Sequence, residues 1–145
     1  MAAMKVTPRP SVEIARVLVV DDDPTSRLTL QTVLEASGYR VDAAASAAEA
    51  VGKLEEQQYE LVLSDLQLES PEAGLKVIAH ARMMAYKPAT ALVKTYGEER
   101  TAAQKSSRRM LIKPEDIPGL LSKVAGLISD RAARRVEREL RLSNS

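Results

Sequence analysis

Charged side chains follow several of the short apolar runs in this 145-residue chain. Asp21 and Asp22 come directly after the run at 17–20, Asp65 follows the run at 61–63, and Lys113 follows the run at 110–112. Carboxylates that share one site repel each other, so a cation must offset them. Mg²⁺ suits this task because it takes oxygen ligands and leaves a place for a phosphate oxygen. A carboxylate beside Mg²⁺ and an ammonium group can attack a phosphoryl group, so the pattern predicts an aspartyl phosphate.

Each of these residues also has a plain structural interpretation. The Asp-Asp-Asp-Pro sequence at 21–24 suits the start of a helix, where acids favour the positive end of the helix dipole. Asp65 alone could be a turn residue, and Lys-Pro at 113–114 is a common way to leave a strand. The functional interpretation is favoured because all these residues fall at one edge of one predicted sheet.

The apolar pattern predicts five strands that alternate with helices. Asp23 is the expected N-cap of the first helix, with Pro24 at its first position and Gly38 at its end. Parallel strands need helical crossovers, which predicts an open, doubly wound α/β sheet with strand order 2-1-3-4-5 and helices on both faces. Strands one and three are then neighbours, and their carboxyl ends form the expected ligand site. The predicted strands are 17–20, 41–45, 61–63, 89–93 and 110–112.

Composition excludes several classes of protein. The chain has no Cys, which removes disulfide scaffolds and thiol nucleophiles, and its single His, His80, leaves little room for zinc chemistry or a Ser-His-Asp triad. The 21 basic and 20 acidic residues nearly cancel, which argues against general binding to nucleic acid or membranes. No apolar run reaches the length of a membrane span, and residues 1–14 are expected to be a flexible leader without a secretion signal. The expected location is the cytoplasm.

Three stretches of the sequence, VLVVDDDPTSR, YELVLSDLQL and LIKP, resemble the signature motifs of the response-regulator receiver domain of two-component signalling. The resemblance covers roughly residues 16–130 and implies a flavodoxin-like fold. It also implies that Asp65 is the phosphoacceptor and that Lys113 contacts the phosphoryl group. For Mg²⁺, it implies that Asp22 is a direct ligand, Asp21 is a ligand through water, and Gln67 supplies its backbone carbonyl, with Asp65 also part of the metal site.

The resemblance implies a role in a phosphorelay. A histidine kinase or phosphotransfer protein would donate the phosphoryl group, and the chain would signal by changing a face for protein–protein contact. Any catalytic activity would be limited to self-phosphorylation and autodephosphorylation at Asp65, so the chain is not expected to be a metabolic enzyme. The expected division is a leader at 1–14, a receiver domain at 15–130 and a basic helical extension at 131–145.

The sequence departs from the family pattern in its second half. Receivers have a Thr or Ser at the end of strand four, whereas here either Lys94 or Thr95 takes that position, depending on register. Met110 replaces the aromatic residue of strand five, and the stretch between Lys94 and Lys113 is short. These departures favour a second hypothesis, in which the chain is a degenerate receiver that binds proteins without coupled phosphorylation.

The C-terminal residues 131–145 combine five Arg with two Glu. Ala132, Val136 and Leu140 form an apolar line at four-residue spacing, so an extended C-terminal helix is predicted. This extension could be a solvated helix with Arg–Glu pairs, a helix that joins two copies of the chain as a homodimer, or a linker to an output module. Specific DNA binding is the weakest alternative, because no recognition fold follows.

Overall fold

A computed structural model describes residues 15–93, 111–112 and 117–143 of the chain. Its five parallel strands form one sheet in the order β2-β1-β3-β4-β5, which confirms the predicted fold class and strand order. The predicted leader at 1–14 lies outside the described residues. The strands are β1 (Arg16–Val20), β2 (Arg40–Ala44), β3 (Leu61–Asp65), β4 (Ala89–Val93) and β5 (Leu111–Ile112), and the helices are α1 (Pro24–Ala36), α2 (Ala47–Glu56), α3 (Ala73–Met83) and α4 (Ile117–Ser143).

The two faces of the sheet are covered by different pairs of helices. Leu34 of α1 and Leu120 of α4 belong to one buried cluster with Val19 and Leu63, which alternate with the side chains of the other face. On the opposite face, a second cluster unites α2 and α3 with β1 and β3 through Leu54, Val77, Leu18 and Val62. All five residues of β3 are buried, as expected for a central strand with an unbroken apolar run.

The first two helices begin at the side-chain caps that their sequences provide. Asp23 caps α1, because its Oδ2 accepts a hydrogen bond of 2.9 Å from the backbone N–H of Ser26, and Pro24 is the first helical residue. Gly38 follows α1 with a φ of 99°, a left-handed conformation that favours glycine. In α2, the Ser46 hydroxyl accepts from the backbone N–H of Glu49 at 3.1 Å. No described helix combines the length and the apolar character that a membrane crossing requires.

A buried arginine near the middle of the long helix α4 contacts the turn that precedes β4. Arg131 is only 5% exposed, and its Nε and Nη2 donate to the carbonyl oxygens of Lys87 and Tyr86 at 2.9 and 2.7 Å. Burial lowers the pKa of Arg131. The described residues that follow, 132–143, are all exposed. Arg131, the first residue of the predicted extension at 131–145, therefore still contacts the receiver-like part of the chain. The functional division of the chain stays a prediction.

We expect Arg131→Met to lower the free energy of unfolding by about 1 to 3 kcal/mol, because two carbonyl groups lose their donors. Urea unfolding followed by circular dichroism measures this change. Arg135→Met is the matched control, since Arg135 is exposed on the same helix, and its effect should stay within about 0.5 kcal/mol. Equal losses in the two variants would show that the contacts of Arg131 with the turn do not stabilise the fold.

Candidate functional site

Parallel pairing of β1 with β3 brings the carboxylates of the predicted site together. Val20 is the register partner of Ser64, so Asp21, which follows β1, lies beside Asp65, which ends β3. Asp21, Asp22 and Asp65 each offer a carboxylate oxygen, and these oxygens lie within 4.8 Å of one another. Asp21 is 1% exposed and Asp65 is 6% exposed, whereas Asp22 is open to solvent. The site is therefore a small acidic pocket, formed by these three residues, at the carboxyl edge of the sheet.

Asp21 is fixed at three of its polar atoms. Its backbone N–H donates to the carbonyl of Ala44 at 3.0 Å, and its own carbonyl accepts from Nη1 of Arg27 at 2.9 Å. Its Oδ1 accepts from the backbone N–H of Asp23 at 2.9 Å. In the part of the chain that the structure describes, its Oδ2 is a buried side-chain oxygen that accepts no hydrogen bond. A buried carboxylate oxygen without a donor is costly, and it suits a cation.

The pKa values of two neighbouring aspartates, Asp21 and Asp23, are shifted in opposite directions. Burial raises the pKa of Asp21 to about 7; the hydrogen bond from Asp23 opposes this rise, and the charges of Asp65 and Asp22 add to it. Asp23 differs because hydrogen bonds from Ser26 lower the pKa of its carboxyl group. Hydrogen-bond donors thus stabilise the cap carboxylate, while among the described residues no ion pair compensates the charge of the Asp21 carboxylate.

The donor set of the acidic pocket fits a small, hard dication. Its ligands are carboxylate oxygens from two neighbouring strand ends, which is the chemistry that Mg²⁺ prefers. A dication would satisfy the Oδ2 of Asp21, and its charge would oppose both the burial and the neighbouring carboxylates, which together raise the pKa of Asp21. The residues present therefore fit the metal that the sequence predicted.

The loop after Asp65 is held close to the main chain of β3. The backbone N–H of Gln67 donates to Oδ1 of Asp65 at 3.4 Å, and the N–H of Leu66 donates to the carbonyl of Val93 at 2.9 Å. Gly74 in the first turn of α3 lies so near that a Cβ atom there would meet the carbonyl oxygen of Asp65 at 2.5 Å. Only glycine lets α3 begin against this strand end, so Gly74 is part of the support of the acidic pocket.

Two further residues near the acidic pocket were not assigned by sequence reasoning. Glu69 accepts a hydrogen bond of 2.7 Å at its Oε1 from the backbone N–H of Ala47, which ties the loop after Asp65 to the start of α2. Arg27 lies in the first signature stretch of the sequence and contacts the main chain of Asp21. Both side chains contact backbone atoms, and a sequence gives no signal for such contacts.

The remaining predicted site residues, Lys94, Thr95 and Lys113, and the replacement Met110 lie outside the described residues. The strand residues next to them are described. Val93 pairs with Asp65 on one side and with Ile112 on the other. The roles of Lys94, Thr95 and Lys113, like the metal-binding role of the Gln67 carbonyl, stay predictions.

The raised pKa of Asp21 predicts that the metal-free protein loses stability as the pH rises. Because the folded-state pKa of about 7 exceeds the ordinary aspartate pKa of 3.8, the folded protein binds the extra proton between these values, and its stability falls across this window. Asp21→Asn removes this penalty, so we expect the variant to exceed the wild type in stability at pH 8 without Mg²⁺ by about 1 to 4 kcal/mol.

Urea unfolding at pH 5 and pH 8 in the presence of a chelator measures this difference, which should shrink at pH 5. Asp130→Asn is the control, because Asp130 is exposed on α4. If the wild type and Asp21→Asn have parallel pH profiles, Asp21 does not carry the penalty.

Comparison with known proteins gives one consistent family. A family model described as the response regulator receiver domain matches residues 17–125. The chain is 32% identical over 109 residues to the gliding motility regulatory protein of Myxococcus xanthus, with 75% of this chain and 14% of that protein covered. It is 30% identical over 126 residues to the sensory/regulatory protein RpfC of Xanthomonas campestris pv. campestris, with 82% and 17% covered. The matched region is thus less than a fifth of either relative.

Solved structures agree with this family in fold. A response regulator receiver protein from Sinorhizobium medicae aligns with a TM-score of 0.71 at 22% identity, over 83% of this chain and 99% of that chain. A receiver domain protein from Methanospirillum hungatei aligns with a TM-score of 0.70 at 23% identity, over 83% and 98% of the two chains.

Proposed function

The chain belongs to the response regulator receiver domain family, and from this membership we propose that it accepts a phosphoryl group on Asp65 in a phosphorelay. The donor would be a phosphohistidine on a partner histidine kinase or phosphotransfer protein, and Mg²⁺ would be the cofactor. The observation that carries the proposal is the convergence of Asp21, Asp22 and Asp65, with a buried oxygen on Asp21 that has no hydrogen-bond partner among the described residues. Two relatives are named a sensory/regulatory protein and a sensor protein, and these names support the link to a kinase.

Each residue of the acidic pocket has a different role in the proposed phosphoryl transfer. A carboxylate oxygen of Asp65 attacks the phosphorus, the new O–P bond forms, and the N–P bond to the imidazole of the donor breaks. Asp21, Asp22, Asp65 and the carbonyl of Gln67 would hold Mg²⁺, which supplies positive charge for the phosphoryl oxygens. The N–H of Gln67 steadies Oδ1 of Asp65, and Lys113 would contact the phosphoryl group.

We expect the protein with Mg²⁺ and acetyl phosphate to gain the mass of one phosphoryl group, and Asp65→Asn to gain none. Intact-mass spectrometry after short incubation measures the gain. Asp23→Asn is the matched control, because it also removes a carboxylate from the Asp-Asp-Asp run but keeps an oxygen that can cap α1. This variant should still accept the group.

The alternative proposal is a degenerate receiver that binds partner proteins without coupled phosphorylation. The sequence observations that favour it are Met110 and the Lys94/Thr95 ambiguity. A wild type that takes up no phosphoryl group, either from acetyl phosphate or from a phosphorylated kinase, would establish this alternative in place of the first. A cytoplasmic location and the lack of specific DNA binding stay predictions under either proposal.

We further propose that the exposed end of α4 pairs with a second copy of the chain. Val136 and Leu140 are 56% and 58% exposed and lie one turn apart. At 3.6 residues per turn, Val136 is rotated by roughly 140° around the helix axis from the buried Arg131. This apolar pair therefore faces away from the domain to which the helix belongs. Flanking charges such as the Arg141–Glu137 pair, at 3.3 Å, leave an apolar line between polar borders, as in helix pairs.

We expect truncation after Ala132 to convert a dimer into a monomer, measured as mass in solution by analytical ultracentrifugation. This truncation keeps Arg131 and its contacts, so the domain should stay folded. Val136→Glu in the full chain should have the same effect on mass as the truncation. A full-length chain that is already a monomer at high concentration would leave the extension as a solvated helix.

A further inference from the structure

Arg27 lies next to the acidic pocket but donates a hydrogen bond to a backbone carbonyl instead of a carboxylate. It follows three consecutive aspartates, yet among the described residues its guanidinium forms no ion pair within 4.0 Å. Its Nη1 donates instead to the backbone carbonyl of Asp21 at 2.9 Å. The Arg27 side chain is half-buried in the first turns of α1, and the backbone N–H of Arg27 donates to the carbonyl of Asp23 at 2.9 Å. A cation beside an acidic pocket thus contacts a neutral group.

The carbonyl that Arg27 holds belongs to the peptide between Asp21 and Asp22. A peptide unit is planar, so fixing its oxygen restricts both the ψ angle of Asp21 and the φ angle of Asp22. The preceding peptide is held by the bond from Asp21 N–H to Ala44, and Asp23 N–H donates to Oδ1 of Asp21. Arg27 is therefore the side chain that fixes the middle of the Asp-Asp-Asp run.

We propose that Arg27 is a positioning residue of the acidic pocket, whose hydrogen bond to the Asp21 carbonyl holds the carboxylates of Asp21 and Asp22 in place for a Mg²⁺ ion. The bond to a carbonyl leaves the carboxylates unneutralised and available to the metal. An Arg–carboxylate ion pair at the same place would compete with the cation for its ligands. The inference rests on the proposed metal site and adds to it a residue that does not touch the ion.

Two opposing effects make this inference testable. Loss of a group that orients metal ligands typically weakens metal affinity by 10- to 100-fold. Loss of a nearby positive charge alone acts in the other direction, because it strengthens the attraction between the acidic pocket and a dication. The direction of the change in affinity therefore separates positioning from simple charge.

The experiment measures the Mg²⁺ dissociation constant of the full chain by isothermal titration calorimetry, for the wild type and three variants. Arg27→Met should raise this constant by about tenfold or more. Arg40→Met, which removes an exposed positive charge at the start of β2, should leave it within about twofold. Arg27→Lys keeps a charge and a donor and should recover part of the lost affinity. Unfolding temperatures of all four proteins without metal show whether each variant is folded.

The outcomes separate this inference from the proposed function. If the wild type binds Mg²⁺ and Arg27→Met binds it as tightly as Arg40→Met or more tightly, the positioning role is wrong while the proposed function stands. The same holds if Arg27→Met and Arg27→Lys lose stability but keep wild-type affinity, since Arg27 would then be only structural. A wild type that binds no Mg²⁺ overturns both.

Discussion

The parallel pairing of β1 with β3 is the constraint on which the acidic pocket depends. It places Asp21 beside Asp65 because Val20 and Ser64 are register partners. The side chains of both strands are packed against helices on either face, so a slip of one residue would exchange the two apolar sets. The two buried clusters therefore fix the register, and the register brings like charges together. The fold tolerates this repulsion at the edge of the sheet because its two faces are well packed.

At each of the two edges of the sheet, an arginine side chain donates to backbone carbonyl groups. At the carboxyl edge, Arg27 donates to the main chain of Asp21, and at the opposite edge Arg131 donates to the turn before β4. Tyr86 in that turn also donates from its hydroxyl to the carbonyl of Leu54, at the end of α2. The turn thus connects helices on both faces of the sheet. The described residues after Arg131 are exposed, so Arg131 is the last buried residue of α4. Its contacts lie at the edge of the sheet opposite the acidic pocket.

The sequence was sufficient to predict the architecture because β1, β3 and β4 are buried over most of their length. Unbroken runs such as 61–63 and helix signals such as Asp23 with Pro24 are local features, and the structure has strands and a helix start there. The contacts that the sequence did not predict join a side chain to a distant backbone atom. Arg131 contacts a carbonyl 44 residues away, and Glu69 contacts an N–H 22 residues away. Every residue offers such backbone groups, so no complementary residue type marks the partner.

The Asp-Asp-Asp run shows why two interpretations of one motif can both hold. The sequence set a helix start against a metal site, but in the structure the two interpretations concern different residues of the same run: Asp23 caps α1, and Asp21 and Asp22 belong to the proposed metal site. Asp23 caps α1 with its side chain and, through its own N–H, also donates to Oδ1 of Asp21. The backbone conformation that starts the helix thereby turns the other oxygen of Asp21, which accepts no hydrogen bond from the described part of the chain, to its buried position. The helix start is therefore part of the acidic pocket, because the cap residue orients the carboxylate that the metal would need.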